Sequence, residues 1–354
     1  MKQFYRFTRK VVGSCWVPMF ALAPACAAPA APPPASAASD WTAPVSTPPP
    51  HAAPAPSGAT PEPAPLSAAI DEQAVSDATG IEKVERSPDG AVKASLPRKD
   101  VEVAIDGWKV PPFMGLTSWV AFTPARKNVA DAMMMGDLVL FEDEVNPVMS
   151  VLFEYQVQVT ALHNHFFYDA PNVFFMHVEG EGTVATLGGG VRVALNTIAK
   201  IRMQSRQPAR GYGAPPLPAK NAIDASKLEA LFGVKGQTKD GMFKATMGRS
   251  AAASCGCNIG STMGVNTWAA FAGSDENAVV DGDFAVAERE LQPVLKALRA
   301  GGINIVAIHH HMNGESPRIL FLHYWGRGKA AELAATIKTA LDLTAWNKPK
   351  PETT

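Results

Sequence analysis

Residues 157–182 read VQVTALHNHFFYDAPNVFFMHVEGEG, and 146 residues later, at 303–328, the chain reads INIVAIHHHMNGESPRILFLHYWGRG. An internal duplication constrains the fold more than composition does, because both copies must form one supersecondary unit and bury equivalent faces. The repeat extends upstream. Met114-Gly115 with Trp119 and Phe122 return as Met263-Gly264 with Trp268 and Phe271 at an offset of 149. Asp89-Gly90 returns as Asp240-Gly241 at 151, and Ile70-Asp71 with Gly80 as Ile223-Asp224 with Gly233 at 153. An offset that shrinks along the chain is what loop insertions and deletions leave in two copies of one ancestor. The units are placed at 69–200 and 222–345, joined by a Pro/Gly-rich linker at 201–221 and followed by a tail at 346–354. For a chain of 354 residues this suits two medium globular domains.

Each unit opens with a short helical pattern and then shows strand signals. These lie at 91–96, 101–105, 119–122 and 138–141, matched in the second copy at 242–247, 268–271 and 284–287. EDEVNPVMSVLFEY and ERELQPVLKALRAG follow, with apolar residues spaced three, four and seven apart, the period of a helix buried on one side. Acidic residues at the start favour the helix dipole, and Pro147 and Pro293 are expected in the first turn, where a missing amide costs nothing. Next come two apolar β-branched runs, 157–165 and 173–177 with counterparts 303–311 and 319–323, expected to form hairpins. Helical patterns at 183–195 and 329–341 close each unit, the first weakened by Gly188, Gly189 and Gly190. The expected fold class is α+β: an internally duplicated unit of mainly antiparallel sheet with helices packed on one side, each half ending β-β-α-β-β-α.

Seven of the eight histidines lie in the two repeated windows; only His51 falls outside. Strand side chains alternate faces, so His163 and His165 are expected to share a face with Val159 and Ala161. With residue 163 opposite 177 in the hairpin, His177 joins them; His309, His311 and His323 form the matching set. Three imidazoles with an open fourth position suit a divalent metal, zinc first, with copper and iron also compatible with nitrogen donors. The repeated Glu144 and Glu290 are the first candidates for a catalytic base, with Glu142 and Glu288 as alternates. Trp119 and Trp268 read as core residues rather than ligand platforms.

At the N-terminus Lys2, Arg6, Arg9 and Lys10 precede an apolar run at 11–22 and the small residues Ala23, Ala25 and Ala27. That is the layout of a secretory signal over 1–27, too short to span a bilayer. Two routes stay open, cleavage near Ala25 or Ala27 and acylation of Cys26, which would tether the protein to a membrane. Residues 28–68 are mostly Ala, Pro, Ser and Thr, the composition of an extended tether. Removing the signal leaves 28 basic against 33 acidic side chains, so the mature chain carries no basic excess for nucleic acid. Past Cys26 only Cys255 and Cys257 remain, read as a small disulfide or a soft-metal pair, the loop role being preferred.

With ALHNHFFYDAPNVFFMHVEG and AIHHHMNGESPRILFLHYWG, each preceded by EDEVNPV or ERELQPV, the chain resembles the LppY/LpqO family of bacterial and archaeal proteins. The resemblance spans nearly all of 69–345. It implies export and lipidation of the kind attributed to mycobacterial lipoproteins in that family, whose function is unknown. HHH in place of the more usual HNH, and the CGC insert, set the second copy apart. Three expectations follow for an exported periplasmic or extracellular protein: a metal-dependent hydrolase acting on a small molecule, a non-catalytic metal- or ligand-binding protein, or a structural envelope protein.

Overall fold

The computed structural model describes residues 65–127 and 129–348; the expected signal, nearly all of the tether and most of the tail lie outside the described residues. The first repeat contains helix α1 (Glu72–Thr79), strands β1 (Val84–Arg86), β2 (Val92–Pro97), β3 (Thr117–Pro124) and β4 (Ala132–Phe141), helix α2 (Glu142–Leu152), strands β5 (Gln158–His163) and β6 (Val173–Gly182), and helix α3 (Val184–Gln204). The second repeats this order as α4 (Ala225–Phe232), β7 (Gln237–Lys239), β8 (Met242–Gly248), β9 (Asn266–Gly273), β10 (Ala278–Ala287), α5 (Glu288–Ala300), β11 (Asn304–His309), β12 (Ile319–Gly328) and α6 (Ala330–Leu341). These strands make one sheet of twelve in the order β1-β2-β3-β4-β6-β5-β11-β12-β10-β9-β8-β7. The order reads the same in repeat terms from either edge, so a pseudo-two-fold axis passes between β5 and β11.

The α+β, duplicated, antiparallel architecture is as the sequence implies. The two units, however, do not form separate domains. Their inner edges pair through Leu162 and Ile308, positions equivalent under the 146-residue offset, which places the axis between them. An isolated half-sheet would leave β5 as a bare edge offering unpaired amides, and its twin covers it. Helix α3 also runs to Gln204, into the segment assigned to the linker. Gly188 there permits close packing rather than only weakening the helix: a Cβ would lie 2.5 Å from that of Ala78 in α1.

Helices cover one face of the sheet, over a core that includes Leu138, Leu140, Met149, Leu187, Phe284 and Leu295. The opposite face carries two smaller clusters. Val101, Val103, Val110 and Leu116, from the segment between β2 and β3, cover Val139, Phe141, Val173 and Phe175. In the second repeat Ala251, Ile259 and Val265 cover Ala285, Ile319 and Phe321. Cys255 and Cys257 are disulfide-bonded in the turn of this second covering segment, the loop role preferred from the sequence. Pro147 and Pro293 are sixth in their helices rather than in the first turn. Each forgoes one backbone hydrogen bond, so the packed apolar faces, more than an unbroken ladder, hold α2 and α5.

The hairpin differs from expectation in one decisive respect. Val159 pairs with Val178, but Ala161 pairs with His177 and His163 with Phe175, so Thr160 is an extra residue, a β-bulge. In the second repeat Ile305 pairs with Tyr324 and Ala307 with His323, leaving Val306 as the bulge. A one-residue insertion reverses the faces. Val159 and Ile305 therefore point into the helix-side core, while the histidines beyond the bulges point to the other face. The expectation that His163 shares a face with Val159 is thus corrected. The register is also two residues away from 163 opposite 177, yet its parity is even, so His177 still joins the set.

Each bulge is held by the other repeat. The Asn146 side chain of α2 donates to Ile305 O at 3.1 Å and accepts from Ile305 N at 2.8 Å. Gln292 of α5, 146 residues on, donates to Val159 O at 2.8 Å and accepts from Val159 N at 3.2 Å. Replacing Asn146 or Gln292 by Leu strands a buried backbone donor and acceptor. Each change is expected to lower the unfolding free energy by about 1–3 kcal/mol, read as a reduced midpoint in urea denaturation.

Candidate functional site

Beyond the bulges, the open face presents the same row of side chains twice. Strand pairing sets Trp119, Asp137, His177 and Ala161 side by side on β3, β4, β6 and β5, and Trp268, Asp283, His323 and Ala307 on β9, β10, β12 and β11. His163 and His165, or His309 and His311, stand beyond the alanine. In the first set His163 Nε2 lies 3.0 Å from His177 Nε2, and the His163 and His165 rings are 5.3 Å apart. In the second His309 Nε2 lies 3.0 Å from His311 Nε2, and His323 is 4.9 Å from His309, ring to ring. Two nitrogens sharing a tetrahedral zinc at about 2.0–2.1 Å would stand about 3.3 Å apart, close to these separations. Buried phenylalanines orient the outer rings: His165 stacks on Phe175 at 3.4 Å and His311 on Phe321 at 3.5 Å.

Sequence reasoning missed the acidic partners. Asp137 and Asp283 are 8% and 3% exposed, and Oδ1 of each takes no hydrogen bond among the described residues. A buried carboxylate oxygen without a donor is costly unless something cationic meets it. Asp283 Oδ2 is 3.8 Å from His311 Nε2, and Asp283, His309 and His311 offer ligand atoms within 4.8 Å of one another, a candidate metal-binding cluster. Burial pushes the Asp283 carboxyl up to about 6, against the opposing pull of His323. Burial, with His323 and His311 next to it, brings His309 down to about 4; His311 and His165 are also lowered, first by burial. Neutral imidazoles keep the lone pairs that a metal needs. A signal was available in the repeated Gly-Asp of a mainly apolar strand, at 136–137 and 282–283. The glycine is required by packing in the second copy, where a Cβ on Gly282 would meet Tyr324 Oη at 2.1 Å and Trp268 O at 2.4 Å.

Of the sequence-derived site residues, the structure gathers His163, His165 and His177 in one place and His309, His311 and His323 in another. It does not bring Glu144 or Glu290 to them. Glu144 is fully buried and accepts from Arg98 at 2.8 and 3.1 Å and from the Phe141 amide at 2.9 Å, with Arg202 Nε at 3.0 Å. Glu290 accepts from Arg249, from the Ala287 amide at 2.8 Å and from that of Ala345 at 3.0 Å. These carboxylates satisfy the N-cap amides just ahead of α2 and α5 and clamp the arginines that open the covering segments, 98–116 and 249–265. Glu142 and Glu288 are exposed, the former bonded by Asn172 at 2.9 Å. Trp119 and Trp268 are half-buried beneath Lys93 and Lys244, whose ammonium groups lie 4.6 and 4.0 Å from the ring centres.

Fold and site define a class: a tandem-duplicated α+β protein with a histidine–aspartate row on the open side of each half-sheet. The match to known families agrees. The family model described as Domain of Unknown Function (DUF1259) fits the chain twice, over residues 73–197 and 226–343. The protein belongs to that family, consistent with the resemblance to LppY/LpqO proteins. No curated protein and no solved structure matches.

Breaking the Glu144 clamp with Glu144→Gln leaves buried arginines short of a partner, an expected loss of about 3–5 kcal/mol of stability. Metal content should stay at the wild-type level, as elemental analysis would read. Burial raises the Glu290 carboxyl, but hydrogen bonds from Arg249, Ala287 and Ala345 outweigh it and hold it below its ordinary 4.5. A depressed carboxyl contributes stability that is full above the unfolded value and is lost as pH falls through the lower folded value. Glu290→Gln should therefore flatten the decline of melting temperature below about pH 4.5 seen in the wild type.

Proposed function

We propose that each repeat binds one divalent cation, zinc first, through His163, His165 and His177 with Asp137, and through His309, His311 and His323 with Asp283. The observation that carries this reading is the twofold recurrence of three imidazoles beside a buried carboxylate with one oxygen that has no donor among the described residues. A fit to a cation follows from the donor set itself, neutral nitrogens plus one anionic oxygen. His165 and His311 are exposed, so the row is open to a small molecule on its outer side.

A bound cation would supply an activated water or a polarised oxygen at neutral pH. Asp137 and Asp283, paired across the sheet with His177 and His323, replace Glu144 and Glu290 as the candidates to take a proton from that water. The hydrolase reading rests on this arrangement. The same exposure also suits a carrier, which exchanges metal readily without turnover. The N-terminal pattern supports export to the periplasm or exterior, with Cys26 as the lipid-anchor alternative. Among the described residues no helix is long and apolar enough to cross a membrane. The acidic balance of the mature chain argues against a nucleic-acid partner.

Purified protein from zinc-supplemented cells should hold about two equivalents of metal, one per histidine set. Asp283→Ala or His309→Ala with His311→Ala should reduce this to about one, and His163→Ala with His165→Ala should do likewise. Less than about a tenth of an equivalent in the wild type, under conditions that fill tetrahedral zinc sites, removes the metal reading. Unchanged metal content after His163→Ala with His165→Ala, together with lowered stability, would favour the structural one.

A further inference from the structure

A cavity of about 350 Å³ lies away from the histidine row, between the start of α2, strand β11 and the segment after α3. Val145, Phe174, Ile305 and Val306 give it apolar walls, and Ala209, Gly211 and Tyr212 close over it. Its polar wall is Glu142, Asp143, Asn146 and Arg210. It crosses the axis, since Ile305 and Val306 belong to the second repeat.

The cavity is not part of the shared inheritance. Where the first copy has Glu142-Asp143, the second has Glu288-Arg289. Where the segment after α3 returns to α2 through a hydrogen bond from Ala209 N to Asp143 at 3.0 Å, the segment after α6 runs instead to Glu290 through Ala345 N. The first repeat has thus acquired a roofed, acidic version of a surface that its twin leaves with a different charge and cover.

Charge and hydrogen bonding specify the occupant. Of the charged side chains that line the cavity two are acidic, Glu142 and Asp143, and one, Arg210, is basic. Asp143 pairs with Arg202 through Oδ2, while its Oδ1 is buried without a donor among the described residues. The Tyr212 phenol is raised, first by burial and then by the negative charge of Glu142. A small pocket of this size with apolar walls and a few convergent polar groups is suited to one small molecule.

We propose that this cavity is a second ligand site, taking a small organic amine whose ammonium group meets Asp143 and Glu142 and whose apolar body lies on Val145, Phe174 and Val306. The site does not depend on the metal reading.

Phenethylamine and phenylacetate, two probes with the same ring and opposite charge, separate charge recognition from simple apolar filling. In titration calorimetry with the full chain, phenethylamine is expected to bind with a Kd on the order of 1 mM or tighter, and phenylacetate at least about tenfold more weakly. Glu142→Gln, which replaces the exposed carboxylate by an uncharged carboxamide of the same size, should weaken phenethylamine about tenfold, and Val306→Trp should abolish binding by filling the cavity. Val306 is 39% exposed, so the larger ring can be accommodated without displacing the core, and a wild-type melting profile reports that the fold is intact. Should Val306→Trp fail to fold, Tyr212→Ala, in the roof segment, replaces it and should weaken binding. Equal affinity for the two probes, no binding of phenethylamine at about 10 mM, or binding unchanged in the folded variants would overturn the assignment.

Discussion

Two side-chain amides, Asn146 and Gln292, make the rest of the structure workable. Each gives both of its hydrogen bonds to one residue of the opposite repeat, Ile305 or Val159, directly ahead of the bulge. A bulge leaves ladder groups without partners, and a buried unpaired amide or carbonyl is expensive. By supplying a donor and an acceptor in the geometry of a missing strand, each amide lets the chain change faces inside a packed sheet. Residues before the bulge can then feed the helix-side core, while those after it carry histidine onto the open face. Without that reversal His163 and His165 would point among Leu and Val side chains, where an imidazole has neither a partner nor access to a ligand.

The same constraint explains why the repeats fuse. The seam between β5 and β11 has a single bridging pair, Leu162 with Ile308, and on each side of it an amide takes over from the ladder. Neither half can complete its own bulged strand, because the staple for each comes from the helix of the other. Duplication here does more than enlarge a core. It gives both inner strands a neighbour, removes two exposed edges, and sets the two histidine rows on one continuous face.

Much of this was legible in the sequence, and the parts that were not share a cause. Duplication, strand–helix order and the six histidines all depend on local pattern or on offset, which a single chain displays. Thr160 and Val306, by contrast, look like ordinary β-branched strand residues, so nothing local marks them as bulges. The hairpin register lies two residues from the one the spacing suggests, and the histidines still converge only because parity survives an even shift. Glu144 and Glu290 drew attention by recurring near the histidines, yet what they meet is Arg98 and Arg249, distant in sequence. Asp137 and Asp283 recur at the same offset as the histidines and sit inside mainly apolar strands, which is the stronger signal. A charge in the middle of a buried run has to be satisfied by something.

Those two kinds of carboxylate divide the labour of the open face. The glutamates are saturated: hydrogen bonds to arginine and to helix-start amides leave them no role but to hold the covering segments down, which in turn shields Phe175 and Phe321, the rings on which His165 and His311 stack. The aspartates are the reverse, buried beside imidazoles with an oxygen that no described donor reaches. A fold that leaves such an oxygen bare in both copies, while satisfying Glu144 and Glu290, has kept one place on each half-sheet poorly matched to its own chain. Retaining that mismatch twice is costly for a purely structural protein and is expected of one that meets a cation there.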